Sequence, residues 1–284
     1  MKTESAEQTA ATLRELDRDR YFATLVLPAA PRPAITALYA FSAEIAAVRE
    51  RAHEPAPGEI RLQWWRDALQ GLGHGEVRQN PLADALLAAI DEYHLPTAPL
   101  VRLIEARRFD LYQDPMPDVA TFEGYAGETV SVLFQLAAMI LSAGEALEAA
   151  DAAGHLGVAQ ALTGHLRAFG YNASRGRIFL PLSIFVANGV REEEVFAGRE
   201  TAGILAARQQ FCELAREHLA KAEASIKLLR RQLRPAFVSA ALLAPQLRRI
   251  AAQPQSFALP PDLADWRKLA ILAWRGWRQD RGLS

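Results

Sequence analysis

The chain has a single cysteine, Cys212, so no intrachain disulfide can form and a disulfide-stapled scaffold is excluded. Lysine is nearly absent: only four of the 32 Lys+Arg residues are lysine. These cations face 33 Asp+Glu, leaving a formal charge of −1. Without a basic excess or stripe, no nucleic-acid partner is expected. There is no Asn-Gly or Asp-Gly hairpin signal and no alternating strand of useful length, which excludes a β architecture. No 20–50-residue self-similarity of the solenoid kind is visible. The longest apolar run, Thr129 to Ala143, falls short of the roughly 20 residues that a bilayer span needs. Gln135 interrupts it, and it reads as a buried core helix. The N-terminal stretch Met1 to Glu7 is polar and acidic, with neither a signal-peptide apolar run nor an Arg-rich transit character. The expected location is cytoplasmic, at most peripheral on the inner membrane.

What the chain has in excess is alanine, at 54 of 284 positions, which favours helix over strand. Pro31 and Pro33 precede an apolar-periodic run from Ala34 to about Arg51. A second helix lies between Pro57 and Gln70, with Gly71 placed where a terminal glycine belongs. The spacing predicts further helices over 81–94, 96–113, 121–142, 148–169, 181–188, 201–231, 235–250 and 262–280. Gly144, Gly170 and Gly189 are the predicted stops. The joints at 54–58, 71–75 and 253–261 are short, so the chain is expected to be one all-α domain. A bundle of this size can enclose a site between facing helices. No G-x-S-x-G nucleophile signature occurs. Gly71-Leu72-Gly73-His74-Gly75 lacks the Lys-Ser/Thr and the strand–helix context of a phosphate loop.

Two stretches carry a family likeness. The first is Tyr21-Phe22-Ala23-Thr24-Leu25-Val26-Leu27-Pro28, then Arg32, Ala37-Leu38-Tyr39-Ala40-Phe41 and Pro57 to Arg66. The second runs from Leu162-Thr163-Gly164-His165-Leu166-Arg167 to Ser174-Arg175-Gly176-Arg177-Ile178-Phe179-Leu180-Pro181. Both resemble the squalene/phytoene synthase family of head-to-head prenyltransferases, over roughly residues 20 to 280. The resemblance implies an isoprenoid-synthase-type helical bundle with a central cavity. In active members, two Asp-rich helices hold Mg²⁺ against the departing diphosphate, a task for carboxylates projecting from one helix face.

Where the resemblance places those acids, this chain has other residues. The first motif maps onto Ala46, Ala47 and Glu50, with Arg49 beside the remaining acid, and an arginine that precedes it in the family is Ala43. The second maps onto Ala168 and Asn172, with Tyr171 between them. One glutamate cannot hold a multi-Mg²⁺ clamp, so no metal, cofactor or catalytic residue is expected. Mg²⁺ would enter only under the alternative of an active prenyltransferase. The departures are similar to a degenerate branch of the family, mitochondrial complex I assembly factors. The likeness lies in Phe41 to Glu50, Arg108-Phe109-Asp110-Leu111, Tyr125 to Thr129, His155 to Gln160 and Trp274-Arg275. It implies a bacterial-type assembly factor whose partner is a respiratory complex I subunit or assembly intermediate. An isoprenoid lipid is a further candidate ligand.

Several side chains admit two readings. Glu44 and Glu50 either pair with nearby arginines or face water, or Glu50 is a leftover ligand at the cavity rim. Arg167, Arg175 and Arg177 either grip an anion such as a lipid phosphate or cap helix carbonyls near Gly170. Tyr39 either faces the cavity or is a core tyrosine. His155 and His165 are not at metal spacing and read as structural. The cluster Lys227, Arg230, Arg231 and Arg234 closes a helix, where positive charge suits the dipole. The stripe Leu263, Trp266, Leu269, Ala273 and Trp277 either packs on the bundle or enters a membrane headgroup region.

Overall fold

The computed structural model describes residues 3–281 apart from 53 and 74. Met1, Lys2 and His74, on which the readings of the N-terminus and of the Gly71–Gly75 run partly rest, lie outside them. Among the described residues the secondary structure is helical, with no strand. Two helices that periodicity did not reveal come first: α1 (Thr3–Leu16) and α2 (Arg18–Leu25). Asp17 separates them, and its side chain accepts from the Arg20 backbone N–H as the N-cap of α2.

The next helices, α3 (Arg32–Arg51), α4 (Pro55–Gln70), α5 (Pro81–Tyr93) and α6 (Thr97–Arg107), follow the predicted punctuation. Gly71 ends α4 with φ of 73°, a left-handed conformation that glycine adopts without a Cβ penalty. Residues 121–142 form α7 (Val119–Ala126) and α8 (Val132–Ser142), joined through a π turn over Gly127–Ser131. By length and composition this run could cross a membrane, but 61% of its apolar window is buried inside the bundle. That matches a core helix. Ala143, not Gly144, takes the left-handed position after α8.

α9 (Ala150–Arg167) is followed at once by the short α10 (Phe169–Ala173). Gly170 therefore does not end a helix. It lies inside α10, where a Cβ would meet the Phe257 carbonyl oxygen at 1.8 Å, so the position admits only hydrogen. Gly189 does follow α11 (Leu182–Ala187), with φ of 69°. The unpredicted α12 (Glu192–Phe196) precedes α13 (Ala202–Leu228), α14 (Ala240–Ala252) and α15 (Asp265–Asp280). Arg234 bonds the Lys227 and Leu229 carbonyls at 2.8 and 3.0 Å, closing α13 as the basic cluster suggested.

The buried apolar residues form one cluster from Leu13 to Ile250, with α9 against α13 as its most extensive helix pair. A smaller cluster of Phe22, Ala23, Val238, Leu242 and Leu272 fixes α15 onto α2 and α14. The π turn sits where α9 crosses most closely. A Cβ on Gly157 would come within 2.6 Å of the Ser131 Cα. A π turn widens the local backbone, and here Thr129 and Val130 are carried to the edge of an internal cavity.

Candidate functional site

The cavity measures about 400 Å³ and lies between α3, α9 and α14, with the α1–α2 junction on one side. Ala46 from α3 and Ala168 after α9 both line it, so the two expected motif positions face each other across the same space. Their methyl groups offer no ligand. The charged lining comes from Asp17, Asp19, Arg20, Arg49, Arg107 and Arg167.

Neither lining carboxylate is free. Asp17 caps α2 and pairs with Arg20 at 3.1 Å. Asp19 accepts from Lys268 at 2.6 Å, Gln246 at 2.7 Å and Arg167 at 3.1 Å. Lys268 is only 2% exposed and also binds Asp262 at 2.6 Å. Burial opposes its charge, but the bonds to Asp19 and Asp262 outweigh this and raise its pKa. Arg167 completes the group through Asp262 at 3.3 Å. It is thus held by carboxylates, not by helix carbonyls near Gly170.

At the rim, the Tyr171 hydroxyl donates to the Glu50 carboxylate, joining α10 to α3. Arg49 pairs with Glu50 at 3.0 Å and Arg177 lies at 3.8 Å. Arg175 stacks over the Tyr171 ring at 3.8 Å. Burial works against the Glu50 anion, yet Tyr171, Arg49, Arg177 and Arg175 outweigh it, and the carboxyl is held below its ordinary pKa. Arg49 spans rim and cavity: its guanidinium lies 4.7 Å from the Phe179 ring centroid, and its buried Nη1 has no partner.

Beneath the cavity, Arg107, Tyr125 and Asp110 are joined by hydrogen bonds. Asp110, 2% exposed, accepts from the Tyr125 hydroxyl at 2.6 Å and from Arg107 at 2.9 Å. Arg107 also reaches the Tyr125 oxygen at 2.8 Å. Burial pushes the Tyr125 pKa far up, with Arg107 opposing and Asp110 adding to the rise. His165 stacks on Phe179 at 5.1 Å and meets Phe122 edge-on at 5.9 Å. Burial, with Arg49 and Arg107 nearby, pushes its pKa down to about 3 against the pull of Asp110. Its remaining accessible surface faces the cavity.

The other expected residues sit apart from the cavity. Ala47 is half-buried on α3. Asn172 is 3% exposed, and its backbone carbonyl accepts from the Arg175 and Arg177 N–H groups at 3.0 Å each. Tyr39 is a core tyrosine with Arg20 at 5.6 Å from its ring centroid, and burial raises its pKa to about 12. Glu44 is clamped by Arg51 and Arg61 at 2.7 and 3.0 Å. His155 contacts His218 through their Nδ1 atoms at 3.1 Å, and His218 Nε2 meets Glu123 at 3.2 Å. Among the described residues no group of three or more His, Cys, Asp or Glu is placed to hold a metal ion. Sequence reading missed Asp17, Asp19, Gln246 and Lys268 altogether. The capping pattern at Asp17 was the available signal for α2, whereas nothing local marks Lys268.

The squalene/phytoene synthase family sequence model matches residues 13–275. The chain is similar to the human protein named NADH dehydrogenase (ubiquinone) complex I, assembly factor 6, at 29% identity over 84% of this chain and 71% of that protein. It is also similar to a 15-cis-phytoene synthase of Synechococcus elongatus, at 26% identity over 89% of this chain and 86% of the relative. Among solved structures, a ligand-bound dehydrosqualene synthase superposes with a TM-score of 0.80 at 19% identity, covering 98% of this chain and 97% of that one. At that identity the likeness establishes the fold, the isoprenoid-synthase helical bundle.

Proposed function

The chain belongs to the squalene/phytoene synthase family, and on that premise we propose that it is an assembly factor for respiratory complex I in which prenyl transfer has been lost. The observation that carries this reading is the state of the acids around the cavity. Diphosphate departure from an allylic chain calls for Mg²⁺, held by carboxylates with room left for phosphate oxygens. Here the motif positions are Ala46 and Ala168, while Asp17 and Asp19 are engaged by Arg20, Arg167, Gln246 and Lys268. Glu50 is claimed by Tyr171 and Arg49. Such a donor set does not fit a diphosphate–Mg²⁺ clamp. The relatives named as complex I assembly factor 6 in several animals support the assembly role.

In this reading the whole chain works as one domain, without cofactor, through contact with a complex I subunit or assembly intermediate. Deleting the gene and assaying membrane NADH:quinone reductase tests it. The expected result is loss of activity together with loss of assembled complex. An unchanged, fully assembled complex overturns the proposal.

A second reading is favoured by the cavity itself, which persists at about 400 Å³ although its motif acids are gone. A non-catalytic isoprenoid-lipid binder would keep such a space. Mass spectrometry of lipid co-purified with the native protein separates the two: a stoichiometric prenyl lipid favours the binder.

A further inference from the structure

The outer face of α15 carries three exposed tryptophans. Trp266, Trp274 and Trp277 are 66%, 60% and 41% exposed. Of the stripe Leu263, Trp266, Leu269, Ala273 and Trp277, Leu263 and Leu269 pack against the bundle, while Trp266, Ala273 and Trp277 stay exposed. Lys268 and Leu272 point inward, at 2% and 0% exposure. The exposed three cannot face in as well, because 266, 270, 273 and 277 lie on the side of the helix opposite 268 and 272. Trp274 and Trp277 stack on each other, ring centroids 5.1 Å apart. Arg267 lies 5.1 Å from the Trp266 ring and Arg281 4.5 Å from that of Trp277. Asp265, in the first turn, is tied to Arg18 of α2.

We infer that α15 is a membrane-docking helix whose tryptophan face inserts into the headgroup region of an anionic phospholipid bilayer. Indoles are amphipathic and settle at that depth, and guanidinium groups beside them meet lipid phosphates. The paired arrangement of Arg267 with Trp266 and Arg281 with Trp277 places cation and ring at the same level, as an anionic interface requires. The inner face of the same helix sends Lys268 to Asp19 at the cavity wall. Docking would therefore bring the cavity to within about one helix diameter, ~10 Å, of the lipid. This inference does not depend on the assembly role, because a lipid-binding protein would use the same face.

Co-sedimentation of the full chain with phosphatidylcholine vesicles, with and without phosphatidylglycerol, tests it. The wild type is expected to bind the anionic vesicles, less at high salt, with a blue shift of tryptophan emission. The R267Q/R281Q variant should bind roughly thirtyfold more weakly, from the loss of two basic groups worth about 1 kcal/mol each near an anionic surface. The W266S/W274S/W277S variant should lose binding while keeping the wild-type circular dichroism melt, since all three rings are exposed. Equal binding by these variants, or none by the wild type, overturns the inference. A concentration-dependent dimer that the tryptophan variant abolishes, in a protein indifferent to vesicles, would assign the face to a second copy and overturn it as well.

Discussion

The Tyr171 hydroxyl donates to the Glu50 carboxylate across the cavity rim, joining two helices 121 residues apart in sequence. These are the two helices on which the family resemblance places the metal-binding motifs. In this chain their edges are joined by a hydrogen bond with Arg49 and Arg177 alongside. A residue suited to bind a cation is thus occupied by a phenol and guanidinium groups.

Removing that phenol gives the first prediction. Tyr171→Phe should let the Glu50 pKa rise toward its ordinary value, observable by NMR titration of the carboxyl carbon. Because the folded-state pKa is lowered, the interaction adds stability above the unfolded-state pKa, about 4.3. That contribution is lost as pH falls through the folded value. With the Glu50 side chain 35% exposed, solvent screening limits the loss to less than about 1 kcal/mol. A Glu50 pKa unmoved by Tyr171→Phe would contradict the assignment.

How far this site was legible in the sequence depends on where each contact lies along the chain. Gly71 and Gly189 stop helices because their conformation is local, and the sequence pattern shows it. Glu50 and Tyr171 could be matched because the family resemblance places each in a motif. Asp19 and Lys268 could not: they are 249 residues apart, and neither belongs to a periodic or capping pattern that points at the other. Their meeting follows from α15 lying across α2, which the smaller apolar cluster of Phe22, Val238, Leu242 and Leu272 fixes. The tryptophan stripe admitted two readings for a related reason. Periodicity finds the two faces of α15, but the buried lysine, paired with two carboxylates, takes the inner one.

Lys268 should accordingly be costly to remove. Lys268→Met leaves Asp19 and Asp262 without the cation between them, and breaking a buried pair typically costs 3–5 kcal/mol. Asp262 is 46% exposed and Arg167 still serves both acids, so a loss of about 2–3 kcal/mol is expected in urea unfolding. The double variant with Asp19→Asn should cost less than the sum of the singles. Strict additivity would show that the two residues do not interact.

Close packing makes a third prediction at Gly157. A Cβ there falls 2.6 Å from both the Ser131 Cα and backbone N, and backbone atoms cannot rotate away as a side chain would. Gly157→Ala should therefore push α9 off the π turn, at a cost of about 2–3 kcal/mol despite the higher helix propensity of alanine. Gly154→Ala, whose Cβ would meet nothing within 4 Å, is the control and should be neutral or stabilising. Equal melting temperatures for the two variants would count against this packing.

His165 ties stability to pH. Its folded-state pKa lies near 3, against an ordinary 6.5, since burial and the nearby Arg49 and Arg107 disfavour the imidazolium. The unfolded chain therefore binds a proton that the folded one refuses. Above about 6.5 both states are neutral and the group costs nothing; as pH falls from there toward 3, protonation of the unfolded chain lowers stability. Because the His165 side chain is only half-buried, the loss is on the order of 3 kcal/mol across that range. His165→Phe keeps the stack on Phe179 but carries no titrating group, so its melting temperature should fall less steeply on acidification. Parallel pH profiles for the two proteins would exclude His165 as the source.

The last prediction concerns the chemistry itself. Incubation with Mg²⁺ and farnesyl or geranylgeranyl diphosphate should release no diphosphate, and Mg²⁺ alone should leave the melting temperature unchanged. The reason is electrostatic as much as a shortage of ligands. Arg20, Arg49, Arg107 and Arg167 line the cavity against two already paired aspartates, so a divalent cation entering it meets net positive charge. Diphosphate release abolished by Glu50→Ala would restore a metal role to that residue. Release that survives Glu50→Ala would place catalysis elsewhere in the cavity. Either result would return this chain to the enzymes of its family.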